Sequence, residues 1–397
     1  MTFSSITKFV HLVRTAFAMA ILIAVVASNA VAAPFIPARD SATVEILRDQ
    51  PLTNVDSDFR RLRAKLRATP ADLSLATSVA QRAIEISRRD GDPRFLGFAQ
   101  AALLPWWSQS NAPLSVRLLK AILLQSTHAF TPALAELESV LRAAPGNAQA
   151  WLIRATILQV QGDYAGAASA CERLRVIGPG PAFYADVCRA ELLGLTGDVA
   201  ASRVRLAQLA TGTAGGQSRV GWLAVIEAEM AERAGDDVAA DKYYRATMAD
   251  RSDAYAKAAY ADFLLDRKRG GEVIALLERD QRADALLLRL ALAYQQQSDP
   301  RLAAAITTLA NRFDAARLRG DVAHQREEAR FTLQLLARPA EALALAQRNW
   351  AVQKESADAR ILLEAARAAG QDAAANPVRD FIRDLHLNDR RLAVFVP

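Results

Sequence analysis

The stretch Ala148–Pro181, AQAWLIRATILQVQGDYAGAASACERLRVIGPGP, carries the plan of the whole chain. Trp151, Ala155 and Leu158 stand at its fourth, eighth and eleventh positions, and Ala167, Leu174 and Pro179 at its twentieth, twenty-seventh and thirty-second. Gly162-Asp163 divides it into halves that each carry apolar residues at helical spacing. Small residues at eight and twenty let two antiparallel helices cross closely. Large apolar side chains at four and eleven fill the space around the crossing, and proline ends the second helix.

Turn signals recur outward from this stretch. Gly91-Asp92, Thr127-His128, Gly162-Asp163, Gly197-Asp198, Gly235-Asp236 and Gly270-Gly271 follow one another at 36, 35, 35, 38 and 35 residues. The preceding unit keeps the register with Ala121, Ala133 and Pro145. The following one, starting at Ala182, keeps Ala201 at position twenty, and the next keeps Ala228, Ala240 and Tyr244. A fixed period of this length marks one supersecondary unit stacked on itself.

The pattern resembles the tetratricopeptide repeat (TPR) superfamily, clearly from Leu114 to Thr247 and more loosely on both flanks. The resemblance implies an all-α fold: a right-handed superhelical α-solenoid of stacked TPR-like antiparallel helix pairs, here over 71–384. On the N-terminal flank a helix pair is expected at Asp72–Arg89 and Arg94–Leu104, broken by Pro105-Trp106-Trp107. One of the two tryptophans is expected to plug the irregular junction. Beyond Arg251 the punctuation drifts, through Asp299-Pro300, Gly320-Asp321, Arg338-Pro339 and Gly370, and 385–397 reads as a C-terminal tail.

The N-terminus has a different grammar. Lys8, His11 and Arg14 precede an apolar run, Ala16–Ala27, and then Ser28-Asn29-Ala30-Val31-Ala32. A basic region, a short apolar core and a small-x-small site are the parts of a cleaved signal peptide, placed here at 1–33. An uncleaved inner-membrane anchor is the alternative, but so short a run covers only about 18 Å of a roughly 30 Å hydrocarbon core. Export to a periplasm or the medium is the expectation. Residues 34–70 read as a linker with a short basic helix at Arg60–Arg67, and membrane contact is expected only through this N-terminal segment.

The charge balance of +6, from 49 basic and 43 acidic residues, is spread rather than clustered, as in Arg326-Glu327-Glu328. Nucleic-acid binding, which needs basic clusters interleaved with stacking aromatics, is not expected. His11, His128, His324 and His386 are scattered, none at the i, i+4 spacing of a helical metal site. There is no P-loop, no Gly-x-Ser-x-Gly and no Cys-x-x-Cys. No catalytic residue, metal or cofactor is therefore assigned. Arg319-Gly320-Asp321 is explained as a helix stop, a left-handed glycine and an N-cap.

In TPR-like stacking Cys171, at position twenty-four, and Cys188, at position seven of the next unit, face each other. In an oxidising compartment they permit a disulfide; two buried thiols acting as small apolar side chains are the alternative.

The resemblance also implies a concave groove lined by first helices, at positions two, five, nine, twelve and thirteen of each unit. On this chain those are Leu118, Ile122 and Gln125; Gln149, Leu152, Thr156 and Gln159; Phe183, Asp186 and Ala190; and Trp222, Val225 and Glu229. Tyr260 and Phe263 come from a later unit. The mixture of aromatics with Gln and Thr suits a protein or peptide partner with apolar anchors. A scaffold of the bacterial cell envelope follows as the leading expectation. The alternatives are a structural subunit of a transport or secretion assembly and an enzyme built in a helical superhelix.

Overall fold

The computed structural model describes residues 54–211, 217–249, 253–321 and 324–396. The signal read at 1–33 and most of the linker lie outside the described residues. The chain divides into two compact units, the larger comprising Asp49–Ala310 and Ala323–Pro397. Of the smaller, the described residues are 311–321, the end of a helix and Gly320 in the left-handed region at φ 72°.

Every regular element among the described residues is helical. In order they are α1 (Asn54–Ala68), α2 (Leu73–Asp90), α3 (Arg94–Trp107), α4 (Leu114–Ser126), α5 (Phe130–Ala143), α6 (Ala148–Val160) and α7 (Tyr164–Arg175). Then come α8 (Pro179–Leu195), α9 (Val199–Thr211), α10 (Gln217–Ala234), α11 (Asp237–Ala249), α12 (Ala254–Asp266) and α13 (Gly270–Leu277). The last are α14 (Asp284–Gln296), α15 (Leu302–Leu318), α16 (Gln325–Gln334), α17 (Pro339–Trp350), α18 (Ser356–Ala368) and α19 (Asn376–Asp384), with short 3-10 turns at Asp372–Ala375 and Ala393–Phe395. Hairpins α2/α3, α4/α5, α6/α7, α8/α9, α10/α11 and α16/α17 stack so that first helices neighbour first helices. The fold is an all-α solenoid.

The recurrent Gly-Asp has two separable jobs. Gly91, Gly162, Gly197 and Gly235 take positive φ, which ends the first helix without a Cβ penalty. The aspartate after Gly162, Gly197 or Gly235 then caps the second helix: Asp163 accepts from Gly166 N–H at 2.8 Å, Asp198 from Ala201 at 2.9 Å and Asp236 from Ala239 at 3.0 Å. Elsewhere other residues take the left-handed position: His128, Lys268, Ser298 and Ala337. Lys268, not Gly270-Gly271, therefore makes the turn before α13. The loosened spacing beyond Arg251 conceals continued helix–turn–helix geometry, since positive φ persists at 298, 337 and 370.

Closest crossings are lined by small residues, as the spacing requires. Ala121, Ala133, Ala167, Ala228, Ala240, Ala261 and Ala342 are fully buried. In the unit after Pro181 the crossing residue is Ser202 rather than Ala201. Ser202 is fully buried, and a Cβ on Gly194 would lie 2.8 Å from its Oγ and 2.4 Å from Met230 Sδ. This unit is thus shifted by one residue from the expected register.

One further expectation changes at the N-terminal end. Pro105 lies inside α3, which continues to Trp107, and both tryptophans are half-buried against the core instead of one plugging it. Lys120 Nζ donates to the Trp107 carbonyl at 2.9 Å and sits 5.2 Å from its ring centroid. Helix α1 packs on the first hairpin, as expected of a short N-terminal helix: Phe59 is buried against Phe95 and Phe98, with ring centroids 5.4 and 6.0 Å apart.

The largest departure from a simple ladder is that later helices of the larger unit lie against the turns of earlier ones. The turn at Gly91 rests on Ala254 and Ala283, at the starts of α12 and α14. His128 meets Gln353, Nδ1 to Nε2 at 3.0 Å; Gly162 faces Phe381 and Lys354; Gly197 faces His386; Gly235 faces Arg390. One apolar core accordingly combines Ala155, Leu158, Ala167 and Cys171 with Ala342, Leu362, Val378 and Ile382. Residues 385–396 belong to this contact. Leu387 and Leu392 are buried, and Arg390 N–H donates to the Arg233 carbonyl at 3.2 Å.

Candidate functional site

The inner face is formed by the first helices α6, α8, α10 and α12, continued by α14, α16 and α18. Its two halves differ in how they handle charge.

In the C-terminal half charge is fully paired. Arg289, 5% exposed on α14, bonds Asp262 of α12 at 2.7 Å and Glu327 of α16 at 3.0 Å. Arg330 bonds the other oxygen of Asp262 at 2.5 Å, Arg326 bonds Glu355 at 2.8 Å, and Arg360 bonds Asp266 and Glu364 at 2.5 and 2.7 Å. Although burial alone would raise them, the Arg289 and Arg330 guanidiniums hold Asp262 well below the carboxylate range, and Arg289 and Arg326 hold Glu327 low. Asp358, buried beneath Arg326 and next to Glu355, is pushed up to about 6 by desolvation.

In the N-terminal half two carboxylates have no cationic contact among the described residues. Glu191 on α8 accepts from Gln159 Nε2 on α6 at 2.7 Å, and Glu229 on α10 accepts from the Tyr255 hydroxyl on α12 at 2.6 Å. Burial raises the pKa of both, Glu229 to about 7, with the neighbouring Glu191 charge adding to the effect at Glu229. Arg233 and Arg391 act on them without touching them. Arg391 bonds Asp389 and Glu232, while buried Arg233 lies 3.4 Å from Asp389 and leaves Nε and Nη1 without acceptors.

Two helical turns before each carboxylate stands an aromatic. Tyr184 precedes Glu191 and Trp222 precedes Glu229, each by seven residues, which places them on one helix face. The Tyr184 and Trp222 rings lie 5.6 Å apart, and Phe183 meets Tyr184 edge-on at 5.5 Å. Trp222 is 38% exposed and Tyr255 59% exposed.

Against this geometry the expected groove residues separate. Leu152, Thr156, Gln159, Phe183, Trp222 and Glu229 are exposed or half-buried. Leu118 and Gln125 are half-buried, Leu118 against the N-terminal core. Asp186 is engaged by Arg175 at 2.7 Å. Ile122, Ala190, Val225, Tyr260 and Phe263 are core residues instead. Tyr260 and Phe263 flank Asp262, and it is Asp262 that reaches the inner charge ladder; Tyr260 stacks on Tyr244 and donates to Asp241. Cys171 and Cys188 are joined as a disulfide, with Cα atoms 6.3 Å apart.

Tyr184 and Glu191 were missed because of the one-residue shift after Pro181. Turn spacing did not mark the shift: Gly162 and Gly197 are 35 residues apart, and so are Thr127 and Gly162 in a unit that keeps its register. Arg289 and Arg330 carry no mark either, since their partners are brought together only by stacking.

Other features are closed. A cavity of about 390 Å³ is lined by Arg367, Asp372, Arg379 and Ala393–Phe395, but Arg367 and Arg379 already bond the carbonyls of Val394 and Phe395. Among the described residues no cluster of three His, Cys, Asp or Glu could hold a metal, and no helix is long and apolar enough to cross a membrane.

No family model matches the chain, and no curated protein matches it in sequence. Solved structures do match in fold. The APC/C hetero-tetramer Cut9-Hcn1 superposes with a TM-score of 0.50 at 12% identity over 87% of this chain and 66% of that one. The P58(IPK) TPR domain covers 71% of this chain and 96% of its own at 12% identity and a TM-score of 0.23. The human IFIT1 dimer with PPP-AAAA covers 86% and 75% at 14% identity and a TM-score of 0.36, and neither of these two carries the argument further. The chain spans just under two thirds of the Cut9-Hcn1 chain it matches, and the likeness is one of fold. The fold is that of tetratricopeptide repeats.

Proposed function

We propose that the protein is a non-catalytic scaffold that binds a segment of another protein along the inner face of α6, α8 and α10. The observation that supports this most is the contrast within that face. The C-terminal half is sealed by ion pairs, whereas the N-terminal half presents accessible Trp222 and Tyr255 beside carboxylates without salt bridges. Exposed aromatics on a rigid helical face are what a bound segment uses as anchors, because they bury much area for little side-chain entropy.

The place of action proposed is the bacterial cell envelope, from the basic, apolar and small-residue order of 1–33. A disulfide between Cys171 and Cys188 agrees with an oxidising compartment.

A photo-crosslinking amino acid tests the groove directly. Placed at Thr156, exposed on the inner face, it is expected to capture a discrete protein in the native host. At Val238, 83% exposed on α11, it is expected not to. Equal labelling from both positions overturns the inner-face assignment, and recovery of the protein only from cytoplasm overturns the location.

A further inference from the structure

We infer that the segment bound on this face carries an apolar anchor and a lysine or arginine about three residues away, the anchor on Tyr184 and Trp222 and the cation between Glu191 and Glu229. The inference rests on the scaffold reading and specifies its ligand.

Charge complementarity carries it. Throughout the rest of the inner face carboxylates are matched at contact distance: Asp262 by Arg289 and Arg330, Glu327 by Arg289, Glu355 by Arg326, and Glu364 by Arg360. Among the described residues Glu191 and Glu229 have only neutral donors, the Gln159 amide and the Tyr255 hydroxyl. The groups facing them are Tyr164 and Glu355, which add no positive charge, and Arg233 and Arg391, whose charges are engaged by Asp389 and Glu232. Half-buried carboxylates left in this state are costly, and a cation from outside is the group that relieves them.

The spacing follows from helix geometry. Seven residues separate each aromatic from its carboxylate, about 10.5 Å along the axis at 1.5 Å per residue. An extended peptide covers that in about three residues at roughly 3.3 Å each. Aromatic rings in mutual contact at one end and paired acids at the other define a direction as well as a composition. The raised pKa of Glu229 agrees: cation binding pulls it back down, so binding near neutrality releases a proton.

The test is a display library of random dodecapeptides selected against the full-length protein, read by sequence enrichment and by fluorescence anisotropy of the winners. Selected peptides are expected to share an aromatic or aliphatic residue three positions from Lys or Arg. The isosteric double variant Glu191→Gln/Glu229→Gln is expected to weaken them at least tenfold, and Trp222→Ala by a similar factor. Calorimetry in buffers of different ionisation enthalpy at pH 7 is expected to show proton release that falls in Glu229→Gln. Peptides that depend on Trp222 but bind the double variant unchanged leave the scaffold standing and overturn the basic-segment inference. Winners insensitive to Trp222 and to both glutamates, or no winners, overturn the inner-face reading and the inference with it. Unaltered thermal unfolding of each variant at pH 4.5, where Glu229 is protonated in the folded chain, separates lost contact from lost fold.

Discussion

The backbone N–H of Lys354 donates to the carbonyl of Val160 at 2.7 Å, and its Nζ donates to the Gln161 carbonyl at 3.2 Å. Lys354 precedes α18 and Val160 ends α6, so these bonds tie the C-terminal pairs to the turn edge of the central ones. The same edge carries the left-handed glycines that punctuate the repeat. Each therefore both ends a helix and leaves room for a later part of the chain.

Gly162 gives the sharpest test of that contact. Its φ is 81°, and a Cβ there would lie 2.6 Å from Phe381 Cε2. Gly162→Ala is expected to cost about 2–3 kcal/mol, part from the left-handed backbone and part from displacing the ring. In a Phe381→Ala background the cost of the same change falls to about 1 kcal/mol, the backbone part alone. Urea unfolding of the four proteins measures the coupling; strict additivity contradicts the contact.

Arg289 holds two acids at once. Arg289→Met leaves Asp262 with Arg330 alone and removes the direct partner of Glu327, and is expected to lose about 3–5 kcal/mol at pH 7. The loss shrinks in acid, where the carboxylates protonate. Denaturant titrations at pH 7 and pH 4 check both statements.

Asp262, Glu327 and Asp389 are all held below their ordinary values by neighbouring guanidiniums, against the opposing effect of burial. Carboxylates of lowered pKa contribute stability that is complete above the unfolded-state value and disappears as pH falls through the folded one. The melting temperature is thus expected to drop steeply below about pH 4. A Tm profile with no acid limb contradicts this.

Glu229 has the opposite sign. With its folded pKa raised to about 7, its contribution is present below the unfolded value and is lost as pH rises through neutrality. Glu229→Gln is expected to gain about 1–2 kcal/mol on the wild type at pH 8 and little at pH 4.5, allowing for partial solvent access. Equal effects at both pH values remove the charge argument.

The Cys171–Cys188 bridge spans a separation of 17 residues. Closing a loop of that length is expected to contribute about 3 kcal/mol through the unfolded chain. Reduction should lower the unfolding free energy from denaturant titration by that amount, and thiol titration of the untreated protein should find no reactive cysteine.

The helix–turn–helix unit was legible in the sequence because its causes are local. Alanine at the crossing, proline after the second helix, and a left-handed residue followed by an aspartate cap all act within one period. The pattern did not mark the one-residue shift that moves Tyr184 and Glu191 to the inner face, because the 35-residue interval between Gly162 and Gly197 also separates Thr127 from Gly162. Tertiary structure alone decided that His128 meets Gln353, that Phe381 covers Gly162, and that Arg289 joins Asp262 to Glu327. These contacts depend on the summed rotation of successive pairs, through which later helices come to lie against the turns of earlier ones. No residue pattern within a single period encodes that sum. The sequence by itself determined the repeating hairpin and most of its core; the contacts of later pairs with earlier turns, and with them which inner-face charges are paired and which are left open, came only from stacking.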